Sequence, residues 1–298
     1  MYQIIGQCPV IQDIKVNNLN NSHLRKIFSL LDCFTVEKPK IGVREASRLL
    51  DISSSTAGRL LAELRDEGVL TQDPENKSYE LGGRVLKWAT TYISVSDLRK
   101  KAQPYLKILQ NETDETISLY TAELYDRVCL EIIESKQTVR IVEPIGTRIK
   151  IYAGSGGKAI LAFRSDEEIK DVIEHAVTID HNLNQQESEW LKQELDEIKK
   201  TGISISHGEW HFEASGIASP IFNSKGIPIG SISISGPTQR FRDPQKLKLY
   251  SEFLLKYTRK ISYDLGLLES INFEQQDMDW FTKHALSESK FQSRGQEN

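Results

Sequence analysis

Residues 41–82, IGVREASRLLDISSSTAGRLLAELRDEGVLTQDPENKSYELG, carry two helical apolar stripes separated by a short break and followed by two strand-like runs. Val43, Ala46, Leu49 and Leu50 repeat at helical spacing and give a short amphipathic helix. Asp51, Ile52 and Ser53 interrupt it, and Ser53 and Ser54 are residues that cap helix N-termini. Ala57, Leu60, Leu61 and Leu64 then mark the buried face of a second helix. Gly68 ends that helix, residues 69–71 and 78–81 read as strands, and residues 73–77 form the loop between them. A preceding helix over residues 23–34 offers Leu24, Ile27, Phe28, Leu30 and Leu31 to the same small core. Helix, turn, helix and hairpin in that order make a winged helix-turn-helix, whose second helix fits the DNA major groove.

The residues left off the apolar stripe specify where DNA contact is expected. Ser54, Ser55, Thr56 and Arg59 lie toward the N-terminal end of the second helix, where short hydroxyls and a guanidinium meet base edges and phosphates. Lys77, in the wing loop, suits a phosphate contact. The expected partner is double-stranded DNA.

The overall net charge of −4 looks unpromising for a nucleic-acid partner, so its distribution matters. Residues 22–100 contain 13 Lys and Arg against 11 Asp and Glu, a local +2, which leaves −6 for the remainder. That balance argues against binding driven by bulk charge and for a module with a few placed contacts. No run approaches the roughly 18 apolar residues of a membrane span, and no secretory leader is evident. Cys8, Cys33 and Cys129 are odd in number and widely spaced, which suits a reducing compartment. The cytoplasm is the expected location.

Five regions follow: an N-terminal arm over 1–21, the winged helix-turn-helix over 22–84, a linker helix over 85–102, a second domain over 103–268, and a polar tail over 269–298. The linker, with Val85, Leu86, Ala89, Tyr92 and Ile93, suits either a subunit-pairing helix or an exposed connector. Pro104 is expected to open the second domain with a helix over 105–112. Strands over 116–121, 128–133, 139–142, 203–206, 215–222 and 229–235 are interrupted by helices over 158–163, 167–175 and 187–200, with a last helix over 244–268. Two strand groups with inserted helices give an α+β fold around an antiparallel sheet. In the tail, Trp280 and Phe281 are the residues able to dock.

Chemistry-bearing motifs in the second domain are sparse. Gly154-Ser155-Gly156-Gly157-Lys158 lacks the first Gly and the final hydroxyl of a phosphate-binding P-loop. It remains a loop exposing backbone N–H groups at a helix start, suited to a small carboxylate, or else a close-packed turn. Ser231, Ser233 and Ser235 alternate with Ile232 and Ile234, so the hydroxyls share one face of a strand. That face either meets a ligand or faces solvent. His207 and His211, with Glu209 between them, lack helical metal-site spacing, and exposed loop histidines are the preferred reading over a metal site. No cofactor is expected. No nucleophile–base pair sits in a recognisable motif.

Three blocks together resemble the IclR family of bacterial transcription regulators: SSSTAGRLLAELRDEGVL with YELG after it, GSGGKAILAF, and TGIS…GIASPIFNSKGIPIGSISISGP. The resemblance covers nearly all of 22–268. It implies a winged helix-turn-helix, a linker helix and a GAF-like effector domain, assembled as homodimer or homotetramer on a pseudo-palindromic operator. It implies regulation, as a repressor, of a catabolic operon by a small organic or aromatic acid. By position, the family's anion-binding loop falls on Ser155, Gly156 and Gly157, its polar pocket on Ser206, Ser233 and Ser235, and its apolar walls on Ile141 and Ile149. Ser206 stands where several members have Asp, Gly216 where several have Cys, and Glu213 where Gly is usual. These departures imply a larger, differently charged pocket than one for glyoxylate. The competing function is an enzyme acting on a small acid, with the helix-turn-helix as a regulatory appendage.

Overall fold

The computed structural model describes residues 4–5, 23–94, 96–269 and 271–288. A two-residue strand, β1 (Ile4–Ile5), is the described part of the expected arm; the rest of that segment and residues 289–298 lie outside the described residues. The chain forms two compact units, one within Pro9–Ser96 and one within Asp97–Asn298 together with β1.

In the first unit α1 (His23–Asp32), α2 (Val43–Leu50) and α3 (Ser54–Asp66) surround a core of Leu30, Ile41, Ala46, Ala57, Leu60, Leu61 and Leu64. The α2–α3 turn works because Asp51 takes a left-handed conformation at φ 50° and Ser47 Oγ donates to the Ile52 carbonyl at 2.6 Å. Gly68, at φ +70°, then reverses the chain into β2 (Leu70–Gln72), which pairs antiparallel with β3 (Tyr79–Leu81). Ile41 bridges Tyr79 on the hairpin's other edge, so the wing is stitched to the segment before α2.

The expected linker helix is two helices. The first, α4 (Gly83–Ser94), buries none of its described side chains, and α5 (Asp97–Thr113) starts anew with Asp97 in its first turn, where a carboxylate favours the helix dipole. Pro104 does not open α5 but lies inside it, forgoing one backbone bond. Burial of Ala102, Leu106 and Leu109 on either side of Pro104 holds α5 together despite that loss.

The second unit is α+β. Its strands are β4 (Thr116–Glu123), β5 (Asp126–Ile133), β6 (Arg140–Ile141), β7 (Arg148–Lys150), β8 (Ser204–His207), β9 (Ala214–Phe222) and β10 (Pro228–Pro237). Six of them form an antiparallel sheet in the order β7-β5-β4-β10-β9-β8, while β6 pairs in parallel with β1. β7 was not anticipated; three residues carry too little alternation to be noticed.

Strand alternation sorts the two faces. Ile117, Leu119, Ile217, Ile232 and Ile234 join α5 and α9 (Pro244–Asp264) in one core. Tyr120 and Cys129 face the other way, toward a second core with α6 (Ser155–Leu161), α7 (Asp166–Thr178) and α8 (Gln185–Thr201). Both α7 and α8 start with a capping box, at Ser165 and at Asn184.

The expected polar tail contains a packed helix, α10 (Met278–Ala285). Phe281 and Ala285 enter the α5–α9 core, and Trp280 Nε1 donates to Glu197 at 2.7 Å. Phe273, upstream of α10, covers Gly202 so closely that a Cβ there would lie 2.5 Å from the ring.

Candidate DNA-reading helix and effector site

The N-terminus of α3 is a closed hydroxyl network. Ser53 caps the helix, accepting the Thr56 amide at 3.2 Å, and its Oγ lies 3.0 Å from Ser55 Oγ and 2.8 Å from Thr56 Oγ1. Ser54 Oγ reaches Ser47 of α2 at 3.3 Å. Thr56 and Ser54 thus hold the turn as well as lining the helix start. Arg59 is exposed, tethered at 3.8 Å to Glu63 one turn on. Lys77, also exposed, sits at φ 60° where the Asp73-to-Asn76 turn closes the wing. Two exposed cations on α2, Arg44 and Arg48, were not among the contacts expected from sequence.

The second unit gathers most of the expected effector residues against one another. Across the sheet, Ser206, Gly216 and Ser235 stand in register on β8, β9 and β10. Ser233 lies one pleat along the same face as Ser235, and α6 covers it, Ser155 Oγ being 3.4 Å from Ser233 Oγ. Ser231 Oγ donates to the Gly156 carbonyl at 2.7 Å. The serine row therefore faces inward, onto a helix.

Small residues permit this approach. A Cβ on Gly156 would lie 2.6 Å from the Tyr120 ring, one on Gly157 2.2 Å from the Ile151 carbonyl, and one on Gly216 2.8 Å from Ser155 Oγ. Ser155, Gly156 and Gly157 form the first turn of α6, not the loop expected from sequence, with Gly154 as N-cap at φ 77°. The glycine run disguised the helix start because glycine is a weak helix former.

Two of the expected N–H donors already have partners. The Gly154 amide donates to Glu209 Oε2 at 2.9 Å, and the Ser155 amide donates to Ser206 Oγ at 2.9 Å. Glu209 Oε1 also accepts from Lys158 Nζ at 2.6 Å, and Glu194 is a second partner of that ammonium. Lys158 has no exposed surface; its two carboxylates outweigh burial and hold its pKa above the usual lysine value.

Ile141 and Ile149 are buried to the side of the serines. Thr116, in register with Ser235, donates to the Ile141 carbonyl at 2.8 Å, and Ile149 pairs with Arg127. That same Arg127 belongs to an ion pair that sequence reading missed. Arg127 Nη1 donates to Glu143 Oε1 at 3.1 Å and Oε2 at 3.2 Å, and Tyr120 Oη donates to Glu143 Oε2 at 3.0 Å. The guanidinium stacks 4.1 Å from the Tyr120 ring centroid. Burial pushes the Tyr120 phenol and the Cys129 thiol up, keeping both neutral beside this pair. The available signal was Arg127 itself, spaced two residues before Cys129 and therefore on the same face of β5.

His207 is not a loop residue. It ends β8, buried, with Nδ1 2.8 Å from Ser215 Oγ and Nε2–H donating to the His284 carbonyl at 2.9 Å. Burial lowers its pKa and keeps it neutral. His211 stacks on Phe212, and its Nδ1 accepts the Glu213 amide at 3.3 Å. Among the described residues no group of three or more His, Cys, Asp or Glu side chains is placed to hold a metal, and no helix is long and apolar enough to cross a membrane.

Two family models match the chain: the IclR helix-turn-helix domain over residues 23–74, and the bacterial transcriptional regulator IclR C-terminal domain over residues 90–263. The HTH-type transcriptional regulator KipR of Bacillus subtilis is 30% identical over 247 residues, 82% of this chain and 98% of its own length. The crystal structure of Thermotoga maritima IclR superposes with a TM-score of 0.65 at 26% identity, covering 82% of this chain and 98% of that one. An IclR homologue from Microbacterium hydrocarbonoxydans, solved in complex with 4-hydroxybenzoate, has a TM-score of 0.67 at 24% identity over 82% of this chain and 99% of its own, a likeness of fold.

Proposed function

The chain belongs to the IclR family of bacterial transcriptional regulators, and from that premise we propose that it is a repressor of a catabolic operon, released by a small organic or aromatic acid. Its function as a DNA-binding transcription regulator follows from the family. The repression, the operon and the acid are the proposal, and cytoplasmic location accompanies them.

The observation that carries the DNA-reading half is α3. Its apolar side is spent on the core, its first turn is locked by Ser53, and Ser55 and Arg59 are left outward at the end that enters a groove. Lys77 on the wing, with Ser54 and Thr56 at the helix start, completes the contact set. One such helix spans few base pairs, so a homodimer or homotetramer reading a pseudo-palindrome is the matching assembly. Exposed Leu86, Trp88 and Tyr92 on α4 provide apolar area for pairing.

The effector site of this proposal is Ser155, Gly156, Gly157, Ser206, Gly216, Ser233 and Ser235, with Ile141 and Ile149 as apolar borders. Because the Gly154 and Ser155 amides are engaged by Glu209 and Ser206, an acid binding there exchanges with groups of the chain. Such an exchange gives binding a means of changing the conformation, since a ligand shifts an equilibrium only by its differential affinity for the two states. The 4-hydroxybenzoate bound by the Microbacterium homologue is one acid to try. The enzyme alternative gains no observation: Ser155 and Ser233 face each other, and His207 is committed to Ser215 and His284.

A gel shift with DNA flanking the chain's own gene, with and without a panel of small acids, tests the reading. Specific retardation relieved by one acid is expected. A folded protein that retards this DNA no better than unrelated DNA, whatever acid is present, overturns it.

A further inference from the structure

Within the effector site just proposed, and resting on that reading, we infer that Arg127 is the residue that selects effectors bearing a carboxylate, with Glu143 as a built-in competitor for the same guanidinium. Nothing in the serine row or the α6 turn required a cation here. The geometry supplies one. Arg127 is 4% exposed and its charge is permanent. Glu143, 3% exposed, is engaged through Nη1 alone, which donates to both of its oxygens.

The other edge of the guanidinium is not fully used. Nε is buried with no hydrogen-bond partner, and Nη2 comes within 3.8 Å of the point a Cβ of Gly154 would occupy. A buried N–H of a charged group left unpaired is costly, and exceptions of this kind in a native fold call for an occupant. The guanidinium fork matches a carboxylate in two parallel bonds, so a carboxylate oxygen on the Nε edge satisfies the orphan donor with the geometry that arginine favours. The neighbours fix the position. Tyr120 holds the guanidinium plane from one side and packs its ring against Gly156, while Ile149 pairs with Arg127 across the strands. The charge that reads the ligand therefore adjoins the residues assigned to hold it.

Glu143 sets the discrimination. It pairs with Arg127, so an incoming carboxylate meets a guanidinium already shared with one anion. Removing the charge of Glu143 must strengthen acid binding, while removing both charges must abolish the preference for an acid over its uncharged analogue. A buried ion pair with a purely structural role makes neither prediction.

The test uses the full chain and isothermal titration calorimetry with lactate and 4-hydroxybenzoate, each beside its amide. The wild type is expected to prefer the acid of the pair it accepts by roughly tenfold to a hundredfold, the span of a hydrogen bond to a charged group. E143Q is expected to bind that acid more tightly and its amide unchanged. R127Q/E143Q, which leaves no lone buried charge, is expected to bind acid and amide alike. Should the double variant not fold, E143Q decides alone. Weaker acid binding by E143Q, or an acid preference retained by a folded R127Q/E143Q, overturns the role of Arg127 and leaves the effector site standing. A wild-type protein that binds neither member of either pair overturns the inference together with the site it rests on.

Discussion

Glu209 Oε1 lies 2.6 Å from Lys158 Nζ, and the other oxygen of the same carboxylate accepts the Gly154 amide at 2.9 Å. One side chain from the β8–β9 turn thus ties together the N-cap of α6 and a fully buried lysine one turn later.

Breaking that arrangement from the cationic side is expected to be severe. Lys158→Met leaves Glu209, itself nearly buried, without its counter-charge. A loss of about 3–5 kcal/mol is expected for removing one partner of a buried pair. Glu209→Gln keeps a polar group at the Gly154 amide and is expected to lose less, about 1–3 kcal/mol. Urea unfolding of the two variants gives the order directly; a Lys158→Met midpoint equal to wild type would contradict it.

The glycines of α6 separate steric from ligand effects. Gly157→Ala meets the Ile151 carbonyl at 2.2 Å, and backbone cannot step aside; Gly156→Ala meets the Tyr120 ring at 2.6 Å, which has some freedom to tilt. Both overpack the interface, for about 1–3 kcal/mol or more, with Gly157→Ala the worse. Thermal unfolding of the second unit checks the order.

On α3, Arg59→Ala and Leu60→Ala are expected to act on different quantities. Arg59 is outside the core, so its loss should weaken operator binding by about 1–3 kcal/mol with little change in unfolding. Leu60 has no exposed surface, and its truncation should cost about 2–5 kcal/mol of stability. Anisotropy titrations beside chemical unfolding distinguish them. Equal DNA affinity for a folded Arg59→Ala protein moves the reading face elsewhere.

The docking of α10 should weaken in acid. Glu197 is held down to about 2, first by its hydrogen bond with His284 and also by that from Trp280. A carboxylate with a depressed folded pKa contributes fully above its ordinary value and loses that contribution as pH falls toward about 2. His207, which holds the His284 carbonyl, is also depressed, by burial. Its contribution is complete above the ordinary histidine range and fades as pH falls through the lowered value. Both signs agree. Hydrogen exchange in residues 278–285 should therefore quicken at low pH before that of β9 and β10; protection that stays constant as the carboxylate titrates would rule the linkage out.

Local signals were legible without coordinates. The 3.6-residue spacing of Ala57, Leu60, Leu61 and Leu64 and the capping serine determined α3, because periodicity and capping act within one or two turns. The alternation of Ser231, Ser233 and Ser235 with Ile232 and Ile234 determined that β10 has two unlike faces, and the strand pattern determined an antiparallel α+β unit. Which face turned inward against a helix, the tertiary structure decided. Both faces do: the isoleucines meet α5 and α9, and the serines meet α6, through a bond between Ser231 and Gly156 that spans 75 residues. The Arg127–Glu143 pair, the closure of Glu209 onto Lys158, and the docking of Phe281 are of the same kind. Each joins groups whose proximity is set by sheet register and helix packing, and the free energy of a charge or an apolar ring depends on that enclosure rather than on its neighbours in the chain.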